Sequence, residues 1–322
     1  MIPRSRWALA ALLLLAAAPL QAQNYPRRPV TIVVPFSPGA ATDILARAAA
    51  QKLGDYLGQQ FIVLNRDGAT GMIGTDAVAK AAPDGHTLLW GSSGPLSINP
   101  AYRAKLPYDP LRDFAPVGLF NLIPYVLVVH PSVPARSLSE LIALGRAHPG
   151  RLSFASSGAG GAPHLAGELL KTMARIDVVH VPYKGTSLFM SDLASGQVDL
   201  AFTGVASSMG YIDTGRLRPL AVSSMRRAML LPNLPTLDEA GLPGYELVVW
   251  YGLLAPAGTP RDVVTALNTA LNRALGAADI QKRIAHEGAY PAAGTPEQFH
   301  AFLKDQLTRY ATMIRQAGLR QD

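Results

Sequence analysis

The pattern of apolar and polar positions repeats one unit along most of the chain. A short β-branched run, Val30–Val34, enters the turn Pro35-Phe36-Ser37-Pro38-Gly39, and from Thr42 apolar residues return with helical spacing. Phe61–Leu64 then leads through NRDGATG into a helix near Met72–Ala81, and Thr87–Trp90 is a strand ending in GSSGP. The apolar run YVLVVHP, Tyr125–Pro131, opens a second series. In it, SLSELIALGRAH predicts a helix capped by Ser137 or Ser139, and RLSFASSGAGGAPHLAGELLKTMA predicts strand, Gly-rich turn and helix. VVHVPYKGTSLFMSDLASGQ and VDLAFTGVASSMGYIDTGR repeat the plan, and LRPLAVSS is one more strand. Strands alternating with helices predict α/β units on a largely parallel sheet. The Pro- and Gly-dense stretch from Leu231 to Pro260 holds an apolar strand and reads as a connector returning to the first domain. Helices follow Thr259-Pro260 and Thr295-Pro296, with Pro at the first helical position.

Loops at the carboxyl ends of parallel strands meet in a crevice where ligands bind. This chain puts Gly and hydroxyl residues there: Ser37–Asp43, Gly68–Gly71, Gly91–Gly94, Ser156–Gly160, Tyr183–Gly185 and Thr203-Gly204. Gly lets a backbone approach closely, and helix N-termini offer free N–H groups with about half a positive charge. Such ends around one crevice predict a neutral-walled site for a small anion or polar ligand. Asp43 is either a helix cap or an acceptor for a ligand N–H. Lys184 faces solvent or the crevice, and Trp250-Tyr251 packs a hinge or lines the cleft.

Composition narrows the class. With 322 residues, 49% hydrophobic and 16% charged, the chain can bury the cores of two domains and is not disordered. Residues 1–22 carry Arg4 and Arg6, an apolar core and small residues around Ala22, the plan of a cleaved secretory leader, which places the mature protein in the periplasm. The charge of +7 falls to +5 without those two arginines, and the remainder is scattered, so no nucleic-acid surface is expected. There is no Cys, which excludes disulfides, thiol catalysis and Cys-ligated metals. The seven His show no metal-binding spacing, and GAGG lacks dinucleotide and P-loop signatures. No cofactor, metal or catalytic residue is expected. A secreted α/β serine hydrolase using Ser156 or Ser157 with His164 is the alternative, disfavoured because no G-x-S-x-G is present. An effector domain of a regulator is disfavoured by the leader and by the lack of a DNA-binding helix pair.

Several segments together resemble the substrate-binding proteins of tripartite tricarboxylate transporters, the Bug or TctC family. They are YPRRPVTIVVPFSPGAATD, NRDGATGMIGTDAVAKAAPDGHTLL, LPYDPLRDFAPV, GRLSFASSGAGGAPHLAGELL, VPYKG, DLASGQVDLAF, LPNLPTLDEAGLPGYE and WYGLLAPAGTP, in order from about Tyr25 to Pro260. The resemblance implies a two-lobed type II periplasmic-binding-protein fold with two strand crossings between lobes. The lobes would be residues 23–125 with the return segment 249–322, and 126–248. It implies a monomer that takes a small-molecule ligand, commonly a carboxylate. Binding would use backbone N–H groups and hydroxyls rather than an arginine clamp, and the partners would be membrane transporter subunits or a sensor kinase. By position, the implied contacts are Phe36, Ser37, Gly39, Ala40, Ala41, Thr42, Asp43, Ser92 and Ser93, facing Ser156, Ser157, Gly158, Tyr183 and Thr203. Ala40, Ala41 and Thr70 stand where the family usually has Gly, and the added methyls bear on pocket shape.

Overall fold

A computed structural model describes residues 25–39, 41–103, 105–316 and 318–319. The predicted leader and Ala40 lie outside the described residues. In the first lobe, β1 (Val30–Val34) leads to α1 (Ala41–Leu57), β2 (Phe61–Asn65), α2 (Met72–Ala79) and β3 (Thr87–Ser92). Strand β1 pairs in parallel with β2 and β3. The apolar face of α1, Leu45, Ala46, Ala49, Ala50 and Leu53, packs on Val30, Ile32 and Val34 of β1 and on Leu88 and Trp90 of β3. Each Leu buried this way contributes about 1.5–3 kcal/mol, so this helix, and the turn before it, are held firmly to the sheet. After β3 a π-helical turn, Gly94–Ile98, runs directly into α3 (Asn99–Tyr102).

The strand read from Tyr125 is much longer than its sequence pattern predicts. Strand β4 spans Phe114–Val129. Its first part, to Pro124, pairs antiparallel with β9 (Val248–Pro256), and Tyr125–Val129 pairs antiparallel with β7 (Leu200–Gly204) and β8 (Arg218–Val222). The second lobe is completed by α4 (Leu138–Ala147), β5 (Leu152–Ser156), α5 (Ala162–Ala174), β6 (Val178–Pro182), α6 (Thr186–Ala194) and α7 (Val205–Asp213). Ser137, not Ser139, caps α4 through the Glu140 N–H. Strand β5 pairs in parallel with β6 and β7.

The sheet order is β2-β1-β3-β9-β4-β7-β5-β6, with β8 also on β4. The expectation of a largely parallel sheet is corrected: parallel pairs lie toward the two ends, and every pairing of β4 and β9 is antiparallel. The reason is topological. β4 carries the chain out to the second lobe and β9 carries it back, so the two run side by side in opposite directions.

The return segment adds α8 (Arg261–Leu275), α9 (Ala278–His286), β10 (Tyr290–Pro291) on β4, and α10 (Pro296–Gln316). Helix α9 buries Ile280 and Ile284, four residues apart on one face, and is a helix that the sequence reading did not single out. Helix α10 touches both lobes: Phe299 and Leu303 join a first-lobe cluster, while Tyr310, Met313 and Ile314 join the core of the second.

Candidate functional site

Between the lobes lies a cavity of about 470 Å³. The first lobe lines it with Phe36, Ala41, Thr42, Thr70, Ser92–Gly94, Ile98, Asn99, Tyr102 and Arg103. The second lobe contributes Ser157–Pro163, and the crossing strands contribute Tyr125, Val249 and Tyr251. A neighbouring cavity of about 300 Å³ shares Ala41, Tyr125, Ser157, Pro163, Val249 and Tyr251, and adds Thr203, Ser207 and Glu287.

The turn after β1 aims the start of α1 at this cavity, and Asp43 holds the turn from behind. Asp43 is 3% exposed. Its Oδ2 accepts from the Gly39 N–H at 2.9 Å and Arg47 Nε at 3.0 Å, and its Oδ1 accepts from Asn65 Nδ2 at 2.8 Å. Burial pushes the carboxyl pKa up, but the bonds from Arg47, Gly39 and Asn65 outweigh it and hold the group below its ordinary value. With its oxygens engaged, Asp43 is a brace and not part of the cavity wall. Ser37 donates to Asp67 on the exposed side of the turn.

At the end of β3 the Ser92 Oγ is buried without a hydrogen-bond partner, and so is the Thr42 Oγ1. Thr42 lies close enough to act on the Tyr251 phenol but makes no bond of good geometry to it. A buried polar group left unpaired costs about 1–3 kcal/mol, so both hydroxyls are groups that a ligand or a water would satisfy. Burial raises the phenols of Tyr125, to about 12, and Tyr251, so both remain protonated O–H donors beside them. Thr70 sits at φ 55°, ψ 38°, a left-handed conformation costly for a β-branched residue. It is fixed by Asn99 Nδ2, which donates to its carbonyl at 3.2 Å and its Oγ1 at 3.1 Å.

On the facing lobe, the loop between β5 and α5 presents Ser157–Gly161, and its shape is set from beneath. Ser156 is fully buried, with Oγ 2.7 Å from His180 Nε2 and 3.1 Å from the Gly158 carbonyl. His164 Nδ1 accepts from the Gly160 N–H at 3.0 Å, and its ring stacks on His180 with centroids 4.1 Å apart. Burial, with Lys171 adding, lowers His164 to about 4; burial and then His164 itself lower His180 to about 4. Both rings are therefore neutral at pH 7. Gly160, at φ 76°, lets Tyr102 of the first lobe close against this loop: an added Cβ would stand 2.8 Å from the Tyr102 ring. Tyr183 is tied to Asp192 at 2.8 Å, away from the cavity.

Of the residues singled out from sequence, Phe36, Ala41, Thr42, Ser92, Ser93, Ser157, Gly158 and Thr203 line the two cavities. Ser37, Gly39, Asp43, Ser156 and Tyr183 do not; hydrogen bonds turn each of them to supporting the walls. Ala40 lies outside the described residues. The hydrolase pairing is not formed: Ser156 bonds His180 and is buried beneath the loop, and Ser157, which does line the cavity, makes no hydrogen bond to His164, whose Nδ1 accepts from the Gly160 N–H. The lining also contains Tyr125, Val249 and Arg103, which sequence reasoning did not single out. The NPAYR segment, one short helix beyond GSSGP, is the signal that could have located Arg103. Among the described residues there is no cluster of three or more potential metal ligands, and no helix long and apolar enough to cross a membrane.

The sequence profile of the tripartite tricarboxylate transporter family receptor, TctC, matches residues 45–319. Protein BugT of Bordetella pertussis (strain Tohama I) is 39% identical over 303 residues, covering 94% of this chain and 93% of BugT. The R. palustris protein Rpa4515, solved with adipate, superposes with a TM-score of 0.78 at 38% identity, covering 91% of this chain and 98% of that one. MatC from Rhodopseudomonas palustris with bound malate gives 0.74 at 33% identity, covering 90% and 100%. The two lobes, the paired crossing strands and these likenesses are those of a two-lobed, type II solute-binding protein. The chain belongs to the TctC family of tripartite tricarboxylate transporter receptors.

Proposed function

We propose that this protein captures a small carboxylate between its lobes, in the periplasm, and delivers it to a tripartite tricarboxylate-type transporter or presents it to a sensor. The observation that carries this reading is the cavity wall itself. It combines buried, unpartnered hydroxyls of Thr42 and Ser92 with protonated Tyr125 and Tyr251, the start of α1 and the Ser157–Gly161 loop. Every one of these elements can donate a hydrogen bond, and no Asp or Glu is among the described residues lining the larger cavity. A set of donors in a partly dry site suits an anion, and each bond to a charged group contributes about 1.5–3 kcal/mol. Adipate and malate in two related proteins support the choice of carboxylate over other anions.

The reading assigns ligand contact to Phe36, Ala41, Thr42, Ser92, Ser93, Ser157, Gly158 and Thr203. It gives the second lobe residues 126–248, between first-lobe segments 23–125 and 249–322, because β4 changes partners between Pro124 and Tyr125. Residues 1–22 act as the export leader. Calorimetry with adipate, malate and their diamides tests the proposal. Saturable binding of at least one acid, with at least tenfold weaker binding of its diamide, is expected. Equal binding of acid and diamide, or binding of neither, overturns it.

A further inference from the structure

The Ser157–Gly161 loop, which lines the larger cavity from the second lobe, is held at Gly160 by one imidazole. His164 stands in the first turn of α5 and is 4% exposed. The start of this helix has no side-chain cap, and the His164 ring turns back instead: its Nδ1 accepts from the Gly160 N–H at 3.0 Å. Gly160 is also where the loop meets Tyr102 of the first lobe. The bond needs a neutral ring. A proton on Nδ1 would set donor against donor and place a cation at the positive end of a helix. Glu168, on the same helix, does not compensate such a charge closely: its Oε1 lies 3.8 Å from His164 Nε2, too far for a hydrogen bond, and pairs with Lys171 at 3.0 Å. His180 of β6 stacks on the ring with centroids 4.1 Å apart, so a charge on one opposes a charge on the other. Around α5, the same apolar cluster holds Phe154 of β5, Phe202 of β7, Tyr310 of α10 and Tyr245, whose phenol donates to the Ala166 carbonyl at 2.8 Å. Burial raises both of these phenols, which stay neutral.

We propose that His164 is a positioning residue for ligand capture: its neutral ring supplies the acceptor that keeps the Ser157–Gly161 loop in its binding shape, and proton uptake by the ring loosens the loop and lowers affinity. The proposal rests on the carboxylate-binding reading above. With the loop held, burial and then Lys171 keep the ring at about 4, whereas a ring released with its loop returns toward about 6.5. Affinity is therefore constant above about pH 6.5 and falls as the pH drops toward about 4.

The test compares wild type with two variants. His164→Asn places an Oδ1 where Nδ1 stood and does not titrate; His164→Phe keeps a stacking ring without an acceptor. Binding of adipate and malate is measured by calorimetry at pH 7 and pH 5, with thermal melts confirming folding. At pH 7, His164→Phe should bind about 5- to 100-fold more weakly than wild type, and His164→Asn should recover most of that loss. From pH 7 to pH 5, wild type should lose at least about threefold more affinity than His164→Asn. Titration of the ligand is common to both proteins, as are Glu168, Lys171 and His180. A folded His164→Phe that binds as wild type does, or a His164→Asn as weak as His164→Phe, overturns the acceptor role. A pH response in His164→Asn equal to that of wild type overturns the proton role. If His164→Phe does not fold, the pH comparison decides alone. If wild type binds neither acid, the carboxylate reading falls, and hydrogen exchange of the Gly160 amide, read by NMR in the ligand-free proteins, decides for His164. Protection in wild type and His164→Asn that is lost in His164→Phe supports the role, and equal protection in all three overturns it.

Discussion

Asp43→Asn separates a brace from a ligand contact. Asn65 is fixed in orientation, because its Nδ2 donates to the Phe36 carbonyl at 3.0 Å and its Oδ1 accepts from Arg47 Nη2 at 2.8 Å. The amide introduced by Asp43→Asn must therefore turn its NH₂ toward Asn65 Nδ2, or toward the Gly39 N–H and Arg47 Nε. In either pose a donor faces a donor, and at least one charge-assisted bond is lost, worth about 1.5–3 kcal/mol. The half-exposed Arg47 pair adds at most about 1 kcal/mol. A loss of about 2–3 kcal/mol follows, read by urea unfolding at pH 7. Because the carboxyl is held below its ordinary value, its contribution is present above an unfolded pKa of about 3.9 and is lost only as pH falls through the lower folded value. The loosened turn carries Phe36, Ala41 and Thr42, so calorimetry should show succinate and aspartate weakened by similar factors. An Asp43→Asn variant of unchanged stability, or one that loses aspartate at least tenfold while keeping succinate, would refute the brace.

Ser92→Ala removes a buried hydroxyl that has no protein partner. The ligand-free variant should be as stable as wild type or up to about 1 kcal/mol more stable, while carboxylate binding weakens about tenfold; lost stability with unchanged affinity contradicts this. The His164–His180 stack should make stability fall as pH drops from about 6.5 toward 4, where the unfolded chain takes up protons that the folded pair refuses, and leave it constant above 6.5. After discounting His180 for its partial exposure, the loss is about 3 kcal/mol, measured by urea melts at pH 7 and pH 4, and a His164→Gln variant should show a smaller one. Equal losses in the two proteins would place the pH dependence elsewhere.

What was legible in the sequence was local. The strand–turn–helix units are encoded within short windows, so β1–α1, β5–α5, β6–α6 and β7–α7 could be read directly. Ser92, Ser93 and Ser157 could be read as cleft residues because they stand at strand ends. The first part of β4 was hidden by Pro116, Gly118 and Pro124, which read as punctuation. The strand survives them because irregularities in its pairing with β9 absorb the breaks. Tyr125, Val249 and Tyr251 reach the cavity only because two segments far apart in sequence cross side by side. Arg103 gave no periodic signal, since it stands just past a helix of only four residues. Asp43 stood open between cap and contact until Asn65, a residue with no motif of its own, closed its hydrogen-bond set.

The most direct test of the central claim is a crystal structure of the protein soaked with the carboxylate that calorimetry shows to bind most tightly. The account predicts one molecule between the lobes, with a carboxylate oxygen within hydrogen-bond distance of Thr42 Oγ1 or Ser92 Oγ and the Ser157–Gly161 loop closed over it. A molecule bound outside this cavity, or inside it with both hydroxyls still unpaired, would contradict the account.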